Sequence, residues 1–288
     1  MGLDESNSLD GGLTISRKEV VRIGALTLAV PGMGFLICFF MEAFLNLEIS
    51  KLICSVINLV VVSFLAFFLL PNILGIPFGK IKTRDFNKLI GFHFPNYAWK
   101  HILLGAILAV FTLSGMLIAS IMTGKYVPDF STVTLSHLVF SFNPSIWEEL
   151  FFRGILMIVL LRYTKSLRQA AIIQVALFGV AHIKGEDIHA LIDVVSVMII
   201  GAGFTYTAYK TRTLVTGILF HYLHDAFLYL VQLPSSAYTG FIDNILFYAL
   251  LWSMVGLGCL ITRVATEKFE VRDSTELYTL ESGLLVYF

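Results

Sequence analysis

Glu148 and Glu149 stand side by side inside a long apolar stretch, with Arg153 four residues beyond the second of them. The stretch runs from about 135 to 161, and its centre reads Pro-Ser-Ile-Trp-Glu-Glu-Leu-Phe-Phe-Arg-Gly over 144–154. A charge at the centre of a bilayer costs at least ~3 kcal/mol, so three of them this close together need partners or a task. Two later apolar segments carry the other unusual groups, His182 in one and His221, His224 and Asp225 in the next but one. A carboxylate paired with an imidazole near neutrality can take a proton from water. His221 with Asp225 could then donate to the oxyanion that forms when water attacks a carbonyl. Hydrolysis is the chemistry these residue types suit.

Helical spacing sorts the groups. Pro144 suits the first turn of a helix, where its missing N–H is no loss. Glu149 and Arg153 are i,i+4 and form an ion pair on that helix. Glu148 lies ~100° further round, has no partner in its own segment and needs one from elsewhere. Phe178 and His182 share one helical face, and His221 precedes both His224 and Asp225 by one turn. Heights are harder to match. At 1.5 Å per residue, His221 lies roughly 12 Å from the cytoplasmic start of its segment and Glu148 roughly 20 Å from its cytoplasmic end. Tilt, or a fifth helix that starts deep, would reconcile them.

The elements that must hold these groups follow from composition. The chain has 288 residues, of which 57% are apolar and 14% charged, against ~25% charged in soluble proteins. The reading is an all-α, polytopic membrane protein. Apolar windows of ~20 residues give eight spans, at about 20–45, 51–74, 98–122, 135–161, 168–183, 189–209, 213–232 and 241–264. Pro31-Gly32 interrupts the first, and the fifth is short. If the spans alternate, one side collects 16 of the 20 Lys and Arg residues and the other only Lys51, Lys125 and Lys184, with Arg153 inside a helix. The positive-inside rule then puts both termini in the cytoplasm, of a plasma membrane if the cell is prokaryotic. Residues 1–16 and 266–288 read as polar tails around one membrane domain at 17–265, whose catalytic core spans about 135–232. The loop at 75–97 reads as a solvated connection. Cys38, Cys54 and Cys259 lie in apolar segments without CxxC spacing and read as small buried hydrophobes. Net charge is zero and points to no nucleic-acid partner.

Three short patterns, in order and each on an expected membrane helix, resemble those of the CPBP intramembrane proteases, which include the CAAX prenyl endopeptidases and bacteriocin-processing or immunity proteins. EExxxR appears as Glu148-Glu-Leu-Phe-Phe-Arg153, FxxxH as Phe178-Gly-Val-Ala-His182, and HxxxN/D as His221-Tyr-Leu-His-Asp225. The resemblance implies Glu148 as the water-activating base, His182 as its partner, His221 and Asp225 as the oxyanion site, and Glu149 with Arg153 as support. It implies a lipidated or hydrophobic peptide as substrate, in contact with membrane lipid. The prenyl endopeptidases commonly have Asn where this chain has Asp225. An ionised carboxylate cannot donate, so Asp225 must be protonated or orient His221. Zinc is the cofactor this set would take, with Glu148, His182 and His221 as ligands and an open fourth position; the absence of HExxH speaks for a glutamate mechanism instead.

Plainer readings stand beside these. Glu149–Arg153 could be structural only, His182 a helix-end histidine, His224 a filler on the polar face (favoured over a second active-site donor), and Asp193 a cavity residue or a helix cap. Thr205, Tyr206 and Thr207 could touch substrate, but helix packing is the commoner role of such residues. Two rival functions remain, a proton-coupled transporter and a non-catalytic immunity or scaffold protein of the same fold.

Overall fold

The computed structural model describes residues 87–122, 135–183, 188–228 and 241–273, with isolated positions between 18 and 67. The expected spans at 20–45 and 51–74 therefore lie outside the described residues apart from those isolated positions. Every element described is helical: α1 (Ala98–Met122), α2 (Leu135–Glu148), a π-helical segment (Glu149–Leu156), α3 (Met157–Thr164), α4 (Leu167–Val180), α5 (Ile188–Thr211), α6 (Val215–Leu228) and α7 (Phe241–Lys268).

Among the described residues, three stretches are long and apolar enough to cross a membrane, Ala98–Ala119, Leu191–Thr211 and Phe247–Lys268. Their outer faces expose Ile102, Leu103 and Val110 on α1 and Leu260 on α7, which is surface suited to acyl chains rather than water. Between the helices the contacts turn polar. Tyr248 donates to Asp193, Trp252 Nε1 donates to Ser196 Oγ at 3.1 Å, and His101 Nδ1 lies 3.1 Å from Thr216 Oγ1. Hydrogen bonds of this kind between helices in lipid are worth ~0.6 kcal/mol on average. Asp193 is thus held by α7 and is neither a lining residue of the site described below nor a helix cap.

Two departures from the sequence reading concern the span at 135–161. Pro144 lies inside α2 rather than in a first turn, because the apolar run extends upstream to Leu135. Pro144 brings no N–H to the backbone there. Immediately after Glu148 the backbone winds into eight residues of π-helix, all buried. π-Turns widen the helix and recur at functional sites.

The chain then reverses at Lys165, in the left-handed conformation (φ 54°), and at Ser166, whose hydroxyl accepts from Gln169 N. This turn sets the depth of His182 relative to Glu148. Glu148 lies 17 residues before Lys165 and His182 lies 16 after Ser166, so ~1.5 Å per residue along antiparallel neighbours brings them to about the same level. The short fifth segment is what brings His182 to the level of Glu148.

Two regions expected to be solvated are packed. Ile90 is fully buried and Phe92 packs on the core, so residues 87–92 fold against the helices while Phe94 and Tyr97 stay exposed. Beyond α7, Asp273 accepts from Asn96 N at 3.1 Å and pairs with His93 at 2.9 Å, while its own N–H donates to Thr211 O. A buried carboxylate with two protein donors fixes residues 269–273, where the sequence suggested a polar tail from 266. Cys259 is a free, half-buried thiol; Cys38 and Cys54 lie outside the described residues.

Candidate active site

Glu149 and Arg153 are the innermost charges, both fully buried. Arg153 Nη1 donates to Glu149 Oε1 at 3.0 Å and Nη2 donates to Gly201 O at 3.2 Å. Its guanidinium carbon lies 4.0 Å above the Phe178 ring and 5.2 Å above Phe204. A buried charge is tolerable only when paired and hydrogen-bonded, and here one cation meets a carboxylate, a carbonyl and two aromatic faces.

Two glycines leave the room for this. A Cβ on Gly201 would come within 2.7 Å of Phe178 Cδ1 and 3.1 Å of Arg153 Nη2, and one on Gly217 within 3.2 Å of Glu149 Oε2. The sequence reading missed Gly201, Gly217 and Phe204. Their signal is the Gly-Ala-Gly-Phe run at 201–204 and the lone Gly217 one turn before His221, small residues where membrane helices approach closely.

Glu148, the last residue of α2, points a different way and forms part of the wall of a cavity of about 440 Å³. Its Oε2 lies 3.6 Å from His182 Nε2 and 3.9 Å from His221 Nε2. His182 sits in the turn after α4, where its Nδ1–H donates to Phe178 O at 2.7 Å and its ring packs 4.5 Å from the Phe178 ring. A carbonyl can only accept, so Nδ1 carries hydrogen and Nε2 is the nitrogen turned toward Glu148. The FxxxH spacing thus has two physical uses: the backbone of Phe178 orients the histidine, and its ring supports both His182 and Arg153.

His221 joins the two carboxylate environments. Its Nδ1 lies 3.1 Å from Glu149 Oε1, its Nε2 lies 3.4 Å from Asp225 Oδ2, and its ring stacks on Phe204 at 4.8 Å. Asp225 in turn accepts at Oδ1 from His224 Nδ1, at 3.1 Å. Ser141, Glu148, His182, His221, His224 and Asp225 supply the polar wall of the cavity; Phe140, Pro144, Val197, Ile200, Phe204 and Leu228 supply most of the apolar one. Every site residue drawn from the sequence falls in this cavity or directly behind it.

The segment that builds the polar wall can be compared with known families. Residues 130–227 match the family of type II CAAX prenyl endopeptidases, Rce1-like. The match covers about a third of the chain and contains all three motifs, so it agrees with the resemblance read from them. Rce1-like proteins are proteases. No curated protein and no solved structure matches the chain.

The zinc reading finds no support in the geometry. Among the described residues, no group of three or more His, Cys, Asp or Glu side chains is arranged to hold a metal ion. Both nitrogens of His221 face carboxylates, Glu149 on one side and Asp225 and Glu148 on the other.

Proposed function

We propose that this protein is an intramembrane endopeptidase of Rce1-like type that cuts near the carboxyl terminus of a prenylated, CAAX-type or otherwise hydrophobic peptide. The observation that carries the proposal is the approach of Glu148 Oε2 to within 3.6 Å of His182 Nε2 in a cavity with a largely apolar wall. With Nδ1–H committed to Phe178 O, a neutral His182 presents a lone pair to a carboxylate, and neither can donate to the other. A water molecule resolves this, since it has two hydrogens and forms hydrogen bonds of ~2.8 Å to both groups.

In the reaction, that water's oxygen attacks the scissile carbonyl carbon while Glu148 takes one of its protons. The carbonyl oxygen becomes an oxyanion within reach of His221 Nε2–H. The C–N bond then breaks, and the proton held by Glu148 passes to the leaving amine. Glu149 and Arg153 act behind this set, fixing His221 through Nδ1. The apolar wall receives the side chains that flank the scissile bond, and the lipid portion of the substrate remains in the membrane. Eight membrane spans with both termini in the cytoplasm complete the proposal, on the strength of the sixteen-to-three bias in Lys and Arg.

The test is cleavage by the purified full-length protein in liposomes, with a farnesylated CAAX peptide against its unprenylated control. The expected result is release of the terminal peptide from the farnesylated substrate. No cleavage of either peptide, or of a hydrophobic peptide library, by folded protein would count against an endopeptidase.

A further inference from the structure

His224 lies one residue before Asp225 and three after His221, on the same side of α6. Its side chain is only 10% exposed and lines the cavity. Its Nδ1–H donates to Asp225 Oδ1 at 3.1 Å, yet its Nε2 is buried with no hydrogen-bond partner among the described residues. An unmet buried polar atom costs about 1–3 kcal/mol and calls for a specific explanation. In a cavity wall, the simplest is a partner that arrives with the substrate.

Asp225 makes this partner definable. Its two oxygens are shared between His221 and His224, and an ionised carboxylate has no hydrogen to offer an oxyanion. The Nε2–H of His221 is itself drawn toward Asp225 and Glu148. A reacting carbonyl oxygen at this wall is therefore only partly served by His221, and His224 Nε2 is the uncommitted donor beside it. With hydrogens on both ring nitrogens, His224 donates through Nδ1 to Asp225, which supplies the counter-charge, and through Nε2 into the cavity. We propose that His224 is a second oxyanion donor for peptide-bond hydrolysis in this cavity, held in place by Asp225. The inference rests on the hydrolytic reading given above.

The experiment measures kcat and KM of the purified full-length protein on the farnesylated CAAX peptide for wild type, His224→Ala, His224→Gln and the double variant His224→Ala/Asp225→Asn, with Glu148→Gln alongside. Thermal melts in detergent identify which variants are folded. Loss of one oxyanion donor typically lowers kcat ~10²–10³-fold. His224→Ala is expected to do so with KM changed less than about threefold, and His224→Gln, whose amide can donate, to keep more activity than His224→Ala. In the double variant the side-chain amide introduced by Asp225→Asn offers the hydrogen that a carboxylate lacks, and kcat should recover about tenfold over His224→Ala alone. A merely structural histidine would show no such rescue. A wild-type kcat in His224→Ala, or a folded double variant no faster than His224→Ala, overturns the inference. If Glu148→Gln abolishes cleavage in that same series, the hydrolytic reading survives without it. If Glu148→Gln cleaves normally, the hydrolytic reading itself fails.

Discussion

Replacing Arg153 by Met tests how the site is held together. The substitution keeps an unbranched chain of similar length but removes the cation from a fully buried pair. Glu149 Oε1 then loses its 3.0 Å donor and keeps only His221 Nδ1 at 3.1 Å. The hydrogen bond to Gly201 O and the 4.0 Å stacking on Phe178 go with it. Removing one partner of a buried pair costs ~3–5 kcal/mol, whereas replacing both by neutral groups of similar shape costs far less. Against a total stability of ~5–15 kcal/mol, Arg153→Met is expected to lower the melting temperature sharply, Glu149→Gln to do so less, and the double variant to be more stable than the two single losses added together imply. The assay is a double-mutant cycle from reversible unfolding in detergent micelles, followed by helical circular dichroism. A coupling energy of at least ~1 kcal/mol is expected, since residues within one network typically couple by 0.5–3 kcal/mol. Additive losses, within about 0.5 kcal/mol, would refute the claim that the two charges stabilise one another.

Further expectations follow from single contacts. Gly217→Ala puts a Cβ 3.2 Å from Glu149 Oε2, too tight without a shift of a few tenths of an ångström; displacements of ~1 Å cost up to ~10²-fold, so kcat should fall about tenfold with little change in the melting curve, and unchanged kinetics would mean that the carboxylate is not held rigidly. Tyr248→Phe removes the hydrogen bond to Asp193 and should cost ~0.6–1.7 kcal/mol in the same unfolding assay without altering cleavage, the cluster lying outside the cavity. Treating the purified protein with a strong chelator should leave cleavage intact under the glutamate mechanism; loss of activity restored by added zinc would contradict it.

Much of the site could be read before any coordinates because charges in apolar segments are costly and therefore conspicuous. Glu148, Glu149, Arg153, His182, His221 and Asp225 all stand out for that reason, and the i,i+4 spacing alone pairs Glu149 with Arg153. Less visible were the groups that cost nothing to bury. Gly201 and Gly217 act by what they lack, and Phe204 is one of 25 phenylalanines. The π-helical winding at Glu149–Leu156 leaves no mark in an apolar run with no turn signal. Pro144 misled because its preference for a first turn is local, while the apolar run that makes α2 begins nine residues earlier. The meeting of Glu148 with His182 was, by contrast, available: counting outward from the Lys165–Ser166 turn places both at one depth. His224 was set aside as a filler because its position in the sequence says nothing of the unpartnered Nε2 that the fold encloses.

The central claim is that Glu148 removes a proton from the attacking water. Its most direct test is single-turnover cleavage of a farnesylated CAAX peptide in H₂¹⁸O by wild type and by Glu148→Gln with matched melting temperatures. The account predicts one ¹⁸O in the new carboxylate with wild type, and a rate at least ~10²-fold lower with Glu148→Gln. Undiminished cleavage by folded Glu148→Gln protein would contradict it.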